Sequence, residues 1–356
     1  MPNFCRHGRF LERCPICSKS LPGNEPSSSG RSPRAKSSRS AGTGRSTGTV
    51  SRSRRVRGED LRVRREGRAA DDGYRSELIP GVRASADAGR LAEEIAFSSG
   101  RLLALAAEPP GLYSEARALA VSDLEQASWI CFLIAYLSPL EGEDPFAGIR
   151  KALATAPGGD DPASSELADL IGIPLGPRSS HDPARGVDTL LAYHQWVQRA
   201  ARSAAAGEPS GDGADEPIEN AQALAFRGDP AWTSQRRFER LFERLALPGF
   251  GRMGRYDLLV TLGRLGLYEL KPSSLHLSGA PADDLTTLGA KRVFGIGDPL
   301  LLDRRAAALA TAAEVPIEAL DLALANWAAP QRATLGLPSH TSDVDSYERA
   351  GDAFGL

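Results

Sequence analysis

Apolar side chains recur most clearly at helical spacing between Phe238 and Lys271. Phe238, Leu241, Phe242 and Leu245 fall at i, i+3, i+4 and i+7, the spacing of one helix face. Pro248 ends that helix, Gly249 and Gly251 permit a sharp reversal, and Tyr256, Leu258, Leu259 and Leu262 line a second helix. The pattern predicts a helical hairpin over 238–263. Upstream, 91–105 reads as a helix, and SDLEQASWICFLIAYLSPL is apolar nearly all round, with Ser122 or Asp123 as its N-cap. A helix with no polar face belongs at the centre of a bundle, and Cys131 within it reads as a buried residue.

Helical signals continue over 163–170, 187–204 and 220–227. Thr233 or Ser234 then caps a helix with Arg236, Arg237 and Arg240 on its polar side. Beyond the hairpin, three more helices are expected. Asp298 and Pro299 form an N-cap and first-turn pair, and Pro316 opens the last, which carries Leu320, Leu324 and Trp327 on one stripe. Strand patterns are nearly absent. The expected body, 76–330, is therefore all-α, with 331–356 as an irregular tail.

Charge divides the chain. Residues 1–75 carry 18 Lys and Arg against 7 Asp and Glu, a net of +11, so the rest carries −13 of the overall −2. Residues 21–75 are rich in Ser, Gly, Arg and Pro without apolar periodicity and read as a disordered basic linker. Dispersed arginines bind polyanions in a salt-dependent way, although a solubilising tether fits the composition equally, since no aromatic side chains interleave them.

Within residues 1–20, Cys5, His7, Cys14 and Cys17 follow the spacing C-x-H-x6-C-x2-C. Three thiolates and an imidazole form the donor set of a closed structural Zn2+ site, which orders a short segment and leaves no open position for catalysis. With no secretory signal and no apolar run long enough to span a membrane, a reducing, cytoplasmic setting is expected. The acidic loop with Glu141, Glu143 and Asp144 is a minor metal candidate, and His194 reads as a packed side chain.

Between the two hairpin helices, side-chain-free glycines let backbone N–H groups approach an anion where the helix dipole favours negative charge. Gly249, Gly251, Gly254, Arg252 and Arg255, with Arg236 and Arg237, are thus candidate contacts to a DNA phosphate. A tight turn between two core helices explains the same glycines.

The LPGFG hairpin, preceded by the apolar helix containing WICFLIAYLSP, resembles the helix-hairpin-helix DNA glycosylase superfamily. The run from FERLFERLALPGFGRMGRYDLLVTLGRLGLYEL through AKRVFGIGDPLLLDRRAAALA to ALDLALANW is similar to the α-glutamyl/putrescinyl thymine pyrophosphorylase group, in its third clade. The resemblance implies a helical glycosylase-like domain acting on modified thymine in DNA. There, an amine from glutamate or putrescine replaces the diphosphate of an activated 5-hydroxymethyluracil. DNA and a small amine are the implied partners. The superfamily places an aspartate about twenty residues beyond the last hairpin glycine and, in its lyases, a lysine two places after it. Here Lys271 and Met253 stand at those positions.

Hydrolysis of a glycosidic bond is thereby less favoured than a reaction needing a cation beside a diphosphate. Lys271, Glu269, Asp257 and Asp298 are the remaining acid–base and electrostatic candidates. Glu269 and Lys271 would share one side of an extended stretch, Asp257 also reads as a structural ion pair, and Asp298 as a cap. Two other functions fit: a non-catalytic DNA-binding or damage-recognition module, and a glycosylase with a relocated acid.

Overall fold

In a computed structural model of the chain, residues 69–155, 173–182, 184–205, 218–281 and 283–356 are described. The zinc ligand set Cys5, His7, Cys14 and Cys17, the linker up to residue 68, the 163–170 helix and most of the 204–217 loop lie outside them. Among the described residues there are helices and no strands. In chain order they are α1 (Ser85–Ala107), α2 (Leu112–Ala118), α3 (Leu124–Leu137), α4 (Ala147–Thr155), α5 (Gly186–Ala205) and α6 (Ala221–Arg227), followed by α7 (Ser234–Arg244), α8 (Arg252–Arg264), α9 (Leu285–Phe294), α10 (Pro299–Ala312), α11 (Ala319–Ala328) and α12 (Val344–Phe354).

Helix α3 starts at Asp123, whose carboxylate accepts from the Gln126 amide, and buries every residue from Ala127 to Leu137. It packs on α2, α4, α6 and α8. Trp129, Phe132 and Tyr136 recur along it at intervals of three and four and meet Tyr193 of α5 and Phe250 of the hairpin. Phe132 and Tyr193 stack with centroids 3.8 Å apart. Each such buried ring contributes about 1.5–3 kcal/mol by leaving water, so α3 serves as the spine onto which the hairpin docks. Cys131 is fully buried in this core.

A second layer is formed by α11, which packs on α1 and on α9. Caps set the starts of several helices: Thr233 accepts from the Arg236 amide at α7, Asp284 from Thr287 at α9, and Asp298 from Leu300 at α10. The segment 331–356, expected to be irregular, contains α12. Asp343 accepts from the Ser346 amide at its start, and Ala350 and Phe354 are buried on a helix that packs on α1. One apolar face on a neighbour is enough to hold so short a helix. No described helix is long and apolar enough to cross a membrane.

Candidate functional site

The hairpin forms where the pattern places it. Phe238, Leu241, Phe242 and Leu245 of the first helix, and Tyr256, Leu258, Leu259 and Leu262 of the second, are buried. Phe250 at the tip is buried against Phe132 and Tyr136, so the tip is pinned to α3. Its glycines have different tasks. Gly249 has φ +73°, and a Cβ there would lie 2.3 Å from Thr189 Oγ1, the hydroxyl that donates to the Pro248 carbonyl at 2.6 Å. Gly254 lets Ser180 and the Phe250 ring approach: a Cβ would meet them at 2.5 and 2.7 Å. Only Gly251, the N-cap of α8, is exposed with open space around it.

Beside that first turn lies a loop, 176–182, that sequence patterning passed over. It is stitched to the end of α3, whose last carbonyls need partners. The Gly176 amide donates to the Leu137 and Ser138 carbonyls, and the Ser180 amide and Ser179 hydroxyl both donate to the Tyr136 carbonyl. Arg178 turns inward, while Ser180 comes against Gly254 and His181 against Gly186. The Tyr136 hydroxyl and His181 Nδ1 are 2.8 Å apart. Burial pushes the Tyr136 phenol up to about 12 and holds the His181 imidazole below its ordinary range. At neutral pH both are uncharged. Thr189 is a second side-chain partner of the phenol, so the direction of the Tyr136–His181 hydrogen bond follows the imidazole tautomer.

Under the hairpin runs a buried chain of charges. Arg178 Nε donates to Asp257 at 2.9 Å and its Nη2 to Asp321 at 2.8 Å, while Arg252 Nη2 donates to Asp321 at 2.7 Å and its Nε to Asp284 at 3.0 Å. The Leu275 carbonyl accepts from Arg252 Nη1, and Thr286 and Thr287 hydroxyls donate to Asp321 and Asp284. Burial alone would raise the Asp321 carboxyl; Arg252 and Arg178 outweigh it and hold the group below its usual range. Burial likewise works against the charge on Arg178, but Asp257 and Asp321 prevail and raise its pKa. The chain ties the loop, the hairpin, the start of α9 and α11 into one block.

Several expected surface cations are therefore internal. Arg252 is engaged in the buried chain, and its guanidinium is closed to a surface phosphate. Arg237 is buried too: its guanidinium donates to the Arg227, Trp232 and Glu269 carbonyls and joins three segments. Gly254 is covered by Ser180 and Phe250 rather than open to a ligand. Arg255 is half-buried over the Phe242 ring at 4.4 Å and donates to the Phe242 carbonyl; burial and then Arg252 lower its pKa. Arg236 faces solvent, as does Gly251.

The four acid–base candidates do not converge: no hydrogen bond or ion pair joins any two of them. Asp257 is held by Arg178 through Oδ2, the ion pair its sequence position suggested. Glu269 is 86% exposed, 3.5 Å from Arg237, and Lys271 is exposed on the same loop. Asp298 is the cap of α10. Glu141 accepts from the Thr334 amide and hydroxyl, Asp144 pairs with Arg150, and no metal-sized group of His, Cys, Asp and Glu occurs among the described residues. His194 is half-buried. Only Asp257, of the four, adjoins the loop carrying Ser180 and His181.

Residues 224–335 match the family described as alpha-glutamyl/putrescinyl thymine pyrophosphorylase clade 3. The match runs from within α6 through α11, with the hairpin and four of the five buried charges; Arg178 and His181 precede it. Neither a curated protein nor a solved structure matches the chain.

Proposed function

We propose, from the match of residues 224–335 to the clade 3 alpha-glutamyl/putrescinyl thymine pyrophosphorylase family, that the chain is a DNA-modifying enzyme in which a helix-hairpin-helix, glycosylase-like domain works on an activated thymine derivative. The family match over the hairpin is the observation that carries this reading. In the reaction, an amine nitrogen attacks the methylene carbon of a diphosphorylated 5-hydroxymethyluracil. The carbon–oxygen bond to diphosphate breaks, diphosphate leaves with the electron pair, and the amine loses a proton.

The chain's own residues suit those demands. Diphosphate is a good leaving group whose developing charge needs fixed donors. The first-turn amides of α8 beside exposed Gly251 and the Ser180 hydroxyl against Gly254 are such donors, with the His181 imidazole on the same loop as Ser180. Asp257, its carboxylate oriented by Arg178 from below, is the acid on the hairpin's second helix that takes up the amine proton. The target base is taken out of the stack to reach them. Lys271, exposed on the following loop, and Arg236 on α7 supply cations for the flanking backbone, while Glu269 beside Lys271 would repel a phosphate. Cys5, His7, Cys14 and Cys17 hold a structural Zn2+ in this proposal.

The test supplies the full chain with DNA carrying diphosphorylated 5-hydroxymethyluracil, and glutamate or putrescine. Diphosphate release and a heavier nucleoside in the digest are expected, both reduced at least about a hundredfold in Asp257→Asn, as for loss of a general base. DNA binding with no diphosphate release under either amine would leave a non-catalytic DNA-binding module instead. Release of a free base would point to a glycosylase.

A further inference from the structure

Outside the loop and hairpin cluster there is a cavity of about 370 Å³ at the end of α6, within the volume range of small-ligand pockets. Trp232, Arg244, Gly228, Asp229, Ala225 and Ser203 contribute to its walls. The Arg244 guanidinium lies over the Trp232 ring, 5.3 Å from its centroid, and has no hydrogen bond or ion pair among the described residues. Gly228 brings the backbone under the indole: a Cβ there would meet Trp232 Cζ3 at 2.8 Å. The ring is thus fixed from one side while its cover is a mobile-stemmed cation.

The cavity also lies at the end of a charged stripe. Arg236, Arg240 and Arg244 occupy positions i, i+4 and i+8 of α7, and all three are exposed. Side chains four apart on a helix are neighbours, so three like charges in a row repel one another unless something anionic lies across them. Arg240 is partly answered by Glu243 at 3.1 Å; Arg236 and Arg244 have no acidic partner among the described residues. This arrangement, a cationic track ending in an aromatic platform roofed by a guanidinium, is the chemistry that holds a single-stranded nucleic acid: phosphates along the track and a base stacked at its end.

We propose that the Trp232–Arg244 cavity is a stacking site for one unpaired base of a DNA single strand whose backbone follows Arg236 and Arg240. The site holds the strand next to the target base rather than the target itself. It rests on the DNA reading above but not on the reaction.

The four tryptophans make the test direct. Trp129, Trp196 and Trp327 are buried, whereas Trp232 is half-exposed. A short oligothymidylate added to the full chain should quench tryptophan emission saturably, and the matching duplex should not. Arg244→Ala, at an exposed position, should weaken binding of the single strand by roughly five- to a hundredfold, the range carried by one stacked base. Trp232→Leu should do the same and abolish the quench, with circular dichroism confirming that it is folded. Oligonucleotide binding detected by anisotropy, with no quench and no change in Arg244→Ala, would overturn the stacking site and leave the proposed function standing. No binding of any DNA to the parent would overturn both.

Discussion

Asp321 accepts from two guanidinium groups in a fully buried position, and Thr286 donates to it as well. Removing one member of such a chain strands the others without water or a counter-charge, which costs about 3–5 kcal/mol. Asp321→Asn is therefore expected to lose about that much stability in urea denaturation at neutral pH. Because the folded carboxyl lies below its ordinary value of 3.8, its contribution is present above that value and is lost as pH falls through the lowered pKa. The acid limb of the stability curve should be shallower in Asp321→Asn. The histidines act at higher pH. Burial holds His181 and His276 below 6.5, so from about that pH downward the unfolded chain binds protons that the folded chain refuses. Stability should be undiminished above 6.5 and fall as pH drops through the folded pKa values. Urea midpoints taken at intervals from pH 7 to pH 5 should show the decline, reduced in His276→Gln, which removes the ring stacked 4.1 Å from Phe242.

The hairpin glycines, alike in sequence, should respond unequally to a methyl group. At Gly249 the left-handed backbone costs an L residue about 1–2 kcal/mol, and the added Cβ drives into Thr189 Oγ1. At Gly251 φ is −69° and nothing stands within 4 Å. Gly249→Ala is expected to lower stability by about 2 kcal/mol or more, and Gly251→Ala by no more than about 1 kcal/mol, the scale of a weakened N-cap. Thermal melts of the two single variants decide this; equal losses would contradict the packing of Gly249 on α5. That difference also marks what was legible beforehand. The hairpin, the apolar α3 and the capped starts of α3, α7 and α10 could be read from periodicity and capping residues, because those signals are local. The burial of Arg252 and Arg237 could not. Their partners Asp321, Asp284 and the Trp232 and Glu269 carbonyls come from segments up to about seventy residues away, and an arginine on a helix gives no sign of which side its guanidinium takes. His181 had only a polar, proline-flanked turn as its signal, and its meaning came from Tyr136 at the end of α3.

Over the whole molecule, the charge sums and the buried arginines bear on how DNA would be held. Residues 69–356 are acidic in sum, and Arg178, Arg237 and Arg252 are internal, so those three cations are withdrawn from any polyanion at the surface. Arg236, Arg240 and Arg244 are grouped on one helix face, whereas the first 68 residues carry 17 Lys and Arg against 5 Asp and Glu. If both sets engage phosphates, they should do so differently. An arm of dispersed arginines binds by counterion release, with log K falling by about 0.7–0.9 per neutralised phosphate for each decade of salt. A helix face with a stacking platform loses less with salt, since base stacking involves no ions. Replacing the arginines at 31, 34, 39, 45, 52, 54, 55 and 57 by glutamine in the full chain should therefore flatten the salt dependence of single-strand binding by several such increments. The Trp232 quench should survive in high salt with its amplitude intact. A variant whose salt slope equals the parent's would assign the electrostatic part of binding to the α7 face and leave the arm without a role in holding DNA.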